Sequence, residues 1–197
     1  MKKLLSIILT LTMLFSITAV VSVPTTANAA SKRSKAIKAY KKYLKKEKYN
    51  CDKFALIYLD NNKIPELLTR QGSVVGICTY YKGKVIDTYH AVNLNKGNGK
   101  FTYYKKTGIY QSLGYTYGTW YESYPKLSKA KVKTKIFSTG NFSSSSVKYY
   151  KGEINGKKTK ITKSKYKALL KKYKKGKKGS KAKFYSNTKA SRKKHCK

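Results

Sequence analysis

"FALIYLDNNKIPELLTR" (residues 54–70) is two apolar runs around a polar turn. The run from Phe54 to Leu59 is continuously apolar but too short for a helix, so it predicts a buried strand. Asp60, Asn61, Asn62 and Pro65 are turn residues. Asp and Asn oxygens accept from turn N–H groups, and Pro65 sets φ before the chain resumes. Leu67 to Arg70 then reads as a second strand, antiparallel to the first.

Working outward, Val74 to Tyr81 continues as a strand and "YKGK" (residues 81–84) is a tight turn. Residues 85–95 are strand-like, and "KGNGK" (residues 96–100) is another turn before "FTYYKK" (residues 101–106). Strands at this spacing with Gly/Asn turns predict an antiparallel meander. Upstream, Ile37, Tyr40 and Leu44, with Ala36 and Tyr43 beside them, trace one face of an amphipathic helix over residues 34–48, with Ser31 or Ser34 as cap. Downstream, "KAKVKTKIF" (residues 129–137) alternates strictly. Lys129, Lys131, Lys133 and Lys135 fall on one face and Ala130, Val132, Thr134 and Ile136 on the other. Residues 139–146 read as a polar loop. Asn155-Gly156 then marks a hairpin joining residues 147–154 to 159–162. Tyr166, Leu169, Leu170 and Tyr173 follow helical spacing after a cap at Thr162 or Ser164.

The expected fold is α+β: an N-terminal helix, an antiparallel β-meander of about six to eight strands, and a C-terminal helix, all within residues 30–173. Residues 174–197 hold eleven Lys/Arg, no acid and few large apolar residues, so a disordered polycationic tail is expected. Residues 1–29 read as a signal peptide, with Lys2 and Lys3 ahead of an apolar run and Ala27-x-Ala29 ahead of cleavage. No later stretch looks transmembrane.

Composition narrows function further. The chain has 46 basic and 7 acidic side chains, net +39, and loss of Lys2 and Lys3 would leave +37. Such an excess implies a polyanionic partner. Only Arg33, Arg70 and Arg192 are arginines. Lysine is a flexible point charge, whereas base reading favours the bidentate arginine fork, so delocalised attraction is expected and a specific nucleic-acid site is not. The polyanion-binding candidates are Lys129, Lys131, Lys133, Lys135, Lys171, Lys172, Lys174, Lys175, Lys177, Lys178, Arg192, Lys193 and Lys194. A secreted, non-enzymatic protein retained at a Gram-positive cell wall by teichoic acid, acidic glycan or another phosphate polymer is the expected function, with no cofactor.

Three other sets of residues bear on chemistry. "GIYQSLGYTYGTWYESYP" (residues 108–125) places Tyr115, Tyr117, Trp120 and Tyr121 among glycines as candidates for stacking on sugar rings, against the alternative that the rings fill a core poor in Phe and Leu. Cys51 and His90 suggest a wall hydrolase, but Cys51 leads into a strand rather than a helix N-terminus, where a thiolate is stabilised. A cationic antimicrobial or nucleic-acid-binding effector is the third alternative. Cys51, Cys78 and Cys196 make an odd count, which allows at most one internal bridge; a Cys51–Cys78 bridge would leave Cys196 a tail thiol, free or open to an intermolecular bridge, and spacing leaves the pairing open.

The stretch containing "DNNKIPEL" resembles the "DxDxDGIPEL" segment of uncharacterised secreted proteins and lipoproteins of Gram-positive anaerobes. That segment is similar to FG-GAP-type calcium loops. "AYKKYL", "FALIYLD…IPELL", "TYYKGK" and "INGKKTKITKSKYKALLKKY" extend the resemblance over most of the chain. It implies Asp60, Asn62 and Glu66 as metal ligands. Tyr58 stands where the pattern has its first Asp, and Lys63 where it has Gly. The loop is therefore degenerate, and a structural turn is the reading adopted.

Overall fold

Helix α1 (Thr25–Lys46) buries the stripe that its periodicity marks: Ala36, Ile37, Tyr40 and Leu44. Burying each of the three large ones is worth about 1.5–3 kcal/mol. The computed structural model describes residues 25–47, 50–88, 92–94, 99–143 and 145–197, with side chains from residue 30 and that of Thr116 left aside. The stripe packs on a sheet of β1 (Lys53–Ile57), β2 (Glu66–Gln71), β3 (Val74–Tyr81) and β4 (Lys84–Asp87), joined by β5 (Val92–Asn93) against β3. The opening stretch is the heart of this sheet, with Leu56 opposite Leu67 and Phe54 opposite Thr69 in antiparallel register. Strand alternation gives the sheet two apolar faces. Phe54, Leu67 and Cys78 meet α1, while Ala55, Ile57, Leu68, Val75 and Ile77 face the opposite way.

That second face meets Phe101, Tyr103, Tyr110 and Leu127. They come from β6 (Thr102–Tyr103), the chain leading into β7 (Ser112–Thr116), and β8 (Thr119–Ser128). Strands β7 and β8 with β9 (Lys131–Asn141), β10 (Val147–Gly152) and β11 (Lys158–Ile161) form a second sheet in the order β11-β10-β9-β8-β7. Helix α2 (Lys163–Tyr173) lies on one face of it, where Tyr166 packs against Tyr149 at 4.9 Å and shares a core with Tyr104, Tyr124 and Ile136. Thr162 is its cap, accepting from the Lys165 N–H at 3.2 Å.

The α+β class is as expected, but several local expectations are corrected. The strands divide between sheets instead of forming one meander. Residues 104–109 make a turn, exposed at Lys105 and Lys106 and buried at Thr107, in which Thr107 donates to the Tyr104 carbonyl at 2.7 Å, redirecting the chain from one layer to the next. Residues 85–95 are not one strand. Thr88 donates through N–H and hydroxyl to the Ile77 carbonyl, closing the β4 ladder. Part of this segment, and of the expected turn at 96–100, lies outside the described residues. Residues 139–141 extend β9 rather than opening a loop. Lys129 and Ala130 are a two-residue hairpin turn, not strand, since Ser128 pairs Lys131.

The tail is ordered. Strand β12 (Ser180–Lys181) pairs β6, β13 (Tyr185–Ser186) pairs β1, and α3 (Lys189–His195) follows. Asn187 explains how a basic segment can dock. Its amide donates to the Leu44 carbonyl at 3.0 Å and the Cys51 carbonyl at 2.9 Å, and its Oδ1 accepts from Arg192 at 2.7 Å. Arg33 reaches the Lys197 carbonyl at 2.6 Å. Cys196 is consequently buried with Cys51 and Cys78 beneath α1, and all three are free thiols. The pairing that the sequence left open is thus not made, and Cys196 is a buried thiol rather than one on a disordered tail.

Two predictions follow from these local geometries. Asn187→Ala is expected to cost about 1–3 kcal/mol in urea unfolding, because it strips partners from buried carbonyls, whereas Lys178→Ala on the surface stays within about 0.5 kcal/mol. Lys129 and Ala130 hold φ of 48° and 61°, the left-handed region that costs a side chain roughly 1–2 kcal/mol. Ala130→Gly therefore stabilises by about 0.5–1 kcal/mol in the same assay, the relief exceeding the added unfolded-state entropy.

Candidate polyanion-binding surface

The alternation of β9 decides where its lysines go. Val132 packs into the core with Leu127, so Lys131 and Lys133 take the other face, and a register shift between Ser123 and Pro125 sets both Lys135 and Ile136 opposite Tyr124, which leaves Lys135 along the same groove. Pairing with β8 sets Lys126 beside Lys133 and Ser128 beside Lys131. The hairpin tip of β3 and β4 lies across from them, where Lys82 and Gly83 adopt φ of 48° and 80°. Lys82, Lys126, Lys129, Lys131, Lys133 and Lys135, with Tyr81 and Ser128, line one groove of about 590 Å³. Among the described residues no carboxylate lines it. Lys133 has an acidic neighbour, Glu153 at 3.9 Å, and that contact is solvent-exposed and worth little.

Neighbouring ammonium groups two residues apart on a strand repel by about 0.6 kcal/mol in water before screening. The scaffold therefore holds a cluster whose repulsion a bound anion would relieve. Tyr81, Lys82, Ser128 and Lys129 also border a second groove of about 650 Å³, with Lys32 and Lys35 of α1 and with Asp60 and Asn62. The opening loop thus forms the rim of the cationic surface.

Inside that loop the polar side chains serve the turn. Asp60 Oδ1 accepts from the Asn62 N–H at 2.9 Å, and Asn62 Oδ1 accepts from the Ile64 N–H at 2.7 Å. Both contacts match the turn reading. Lys63 holds φ of 65°, standing in the left-handed conformation where a calcium loop has Gly. Glu66 is fully buried, accepts from the Leu59 N–H at 2.8 Å through Oε2, and has no hydrogen-bond partner at Oε1. Burial and the neighbouring Asp60 raise its pKa to about 8. The donor set does not fit a calcium ion: two oxygens hold the turn, the third ligand is a carboxyl that keeps its proton, and lysines ring the mouth. Among the described residues no three His, Cys, Asp or Glu side chains converge.

The remaining sequence candidates separate. Lys171, Lys172, Lys175, Lys177, Lys178, Lys193 and Lys194 are exposed, but away from the groove. Lys174 is half-buried. It caps α2 between the rings of Tyr104 and Tyr124, 4.6 and 4.4 Å from their centroids, and burial lowers its pKa. Arg192 is committed to Asn187. Cys51 precedes a strand and burial raises its pKa, the reverse of what a nucleophile needs. Cys78 is pushed up to about 12 by burial, then by Asp87. His90 lies outside the described residues.

The aromatic stretch is partly core and partly surface. Tyr110 and Tyr124 are buried. Tyr117, in a hairpin turn, is fully exposed, and Tyr115 stacks on the exposed Phe142 at 5.1 Å. Trp120 lies over Gly140, where an added Cβ would come within 2.9 Å of its ring, and Tyr121 lies over Gly114. Lys82, Lys126, Lys32 and Lys35 were not singled out by the sequence. The lysine in the "YKGK" turn was the one signal that could have found Lys82.

Glu66 generates a pH test. Its folded pKa lies above the unfolded value of 4.5, so between pH 4.5 and 8 the native state keeps a proton that the unfolded chain releases. Stability due to this group falls as pH rises through that window and is level above it. The difference in Tm between Glu66→Gln and the wild type should therefore shift in favour of the variant from pH 5 to pH 8. A difference that stays constant with pH would show that Glu66 is not holding that proton.

Set against protein-family models, curated proteins and solved structures, the chain finds no match in any of the three.

Proposed function

We propose that this is a secreted, non-enzymatic protein that binds polyanions and is held at the cell envelope by them. One observation carries the reading: six lysines from two hairpins converge on a groove lined by no acid. A solvated lysine face needs no opposing wall, whereas here Lys82 and Tyr81 close the groove from a different sheet. Phosphate or carboxylate groups entering it would replace ammonium–ammonium repulsion with several charge-assisted contacts and release counterions. The resemblance to secreted proteins and lipoproteins of Gram-positive anaerobes, and the signal-peptide pattern of residues 1–29, support the location. The raised thiol pKa values of Cys51 and Cys78 speak against a thiolate nucleophile.

The test is the salt dependence of binding to linear polyphosphate. Each phosphate contact contributes a slope of roughly −0.7 to log K against log salt for a flexible strand. Lys131→Gln with Lys133→Gln is expected to reduce the magnitude of that slope by about 1–2, while Lys171→Gln with Lys172→Gln on α2 changes it less. Binding that ignores ionic strength, or equal effects from the two pairs, would overturn the assignment of the groove.

A further inference from the structure

Charge is missing from one end of the second sheet. The chain has 46 basic residues in 197, yet residues 107–125 hold a single charged side chain, Glu122, and residues 136–147 hold none. These segments run side by side as β7, most of β8 and the end of β9. Lys131 and Asn141 stand at opposite ends of β9, about 33 Å apart, so this end is remote from the lysine groove.

Aromatic rings stand where the rest of the surface has lysine. Tyr115, Tyr117, Phe142 and Val147 are four of the six large apolar side chains exposed among the described residues. Register brings them together. Tyr115 pairs Trp120, Trp120 pairs Gly140, and Gly140 pairs Val147, so these positions form one row across four strands on one face. The Trp120 ring occupies the space that a Cβ on Gly140 would need. Phe142 stacks on Tyr115 with 6° between the rings. Two hydrogen bonds brace the platform by tying the β7–β8 turn to the end of β9. The Phe142 N–H donates to the Gly118 carbonyl at 3.0 Å, and the Thr119 hydroxyl donates to Asn141 at 2.9 Å.

Tyr117 supplies an independent observation. It holds φ of 44° ahead of Gly118 at 76°, a two-residue turn whose first position favours Asn, Asp or Gly. An aromatic residue there strains the backbone, and its fully exposed side chain gains no packing in return. Strain that the fold does not use points to a contact outside the chain.

The chemistry of that contact follows from what this end contains and lacks. An anionic bilayer or a nucleic acid would be met by lysine, which is absent here in a chain otherwise dense with it. Rigid Tyr and Trp rings beside Ser, Thr, Asn and Gly give a flat contact area with adaptable polar groups around it. A pyranose ring fits both parts. Its C–H face carries partial positive charge toward the negative face of an aromatic ring, and its hydroxyls reach polar groups such as the exposed Ser143 and Ser145.

We propose that the lysine-free end of the second sheet binds a neutral saccharide, with a sugar ring on the platform of Tyr115, Trp120 and Phe142 and Tyr117 beside it. The site is separate from the lysine groove and does not depend on the polyanion reading.

Trp120 is the sole tryptophan, so its fluorescence reports this site in the full chain. The probes are cellohexaose, chitohexaose and a mannan-derived hexasaccharide. At least one should shift or quench the emission saturably, with an affinity constant within about twofold from about 50 to 500 mM salt, because no charge is engaged. Tyr117→Asn relieves the turn, so its Tm should rise while saccharide affinity falls about tenfold; a merely structural tyrosine would not give these opposite movements. Phe142→Ala should also weaken saccharide binding about tenfold, and both variants should bind linear polyphosphate within about twofold of the wild type. No response to any of the three sugars up to about 10 mM, binding abolished by salt, or both variants binding as the wild type would each overturn the site. So would an emission shift produced by raising protein concentration alone, which assigns the platform to a second copy, or a larger shift on anionic vesicles, which assigns it to a membrane. Failure of the wild type to bind polyphosphate would overturn the polyanion reading and leave this site standing.

Discussion

Basic side chains outnumber carboxylates so heavily in this chain, 46 to 7, that most of its charge has no internal counterpart. Self-repulsion opposes compaction, and surface ion pairs could not offset it even if partners existed. The fold therefore depends on separating apolar from cationic side chains with few exceptions. Period-2 alternation achieves this at the start of β9, where Val132 packs into the core and Lys131 and Lys133 are exposed. Period-3.6 alternation achieves it on α1, whose Tyr40 and Leu44 are buried while Lys38, Lys42 and Lys45 are exposed.

The same separation creates the candidate site. Once every apolar face is used in a core, the lysines collect on the faces left over, and two hairpin tips bring such faces together. Where a basic side chain is drawn inward, the structure supplies a compensating partner. Lys174 sits between two rings, with Tyr124 hydrogen-bonded to Glu122 at 2.7 Å beside it. Arg192 is tied to Asn187. Glu66 is the inverse case, an acid buried without a cation, and it accommodates burial by holding its proton.

The stretch that opened the sequence reading shows how local information and tertiary information divide. Phe54 to Ile57, the turn oxygens of Asp60 and Asn62, and the second strand from Glu66 were readable because strand alternation and Asx turns are properties of neighbouring residues. The burial of Glu66 was not readable. It arises from the packing of α1 and the return of the chain at Leu59, and nothing nearby in sequence reports it. Likewise, the Lys129-Ala130 turn lacks the Asn-Gly signature that marks other hairpins, so its strained geometry is imposed by the pairing of β8 with β9 rather than proposed by its own residues.

By itself the sequence determined the α+β class, the faces of α1 and α2, the excess of positive charge and the lysine-for-arginine bias, because each follows from local periodicity or composition. The tertiary structure decided that the basic tail is ordered, that three thiols share one buried cluster, and that Lys82 faces Lys126 and Lys131 across a groove. It also joined Phe137, Tyr150 and Tyr121 on one face of the second sheet. These are contacts between residues tens of positions apart. Their free energy comes from strand register and from burial shared between layers, quantities that no window of sequence contains.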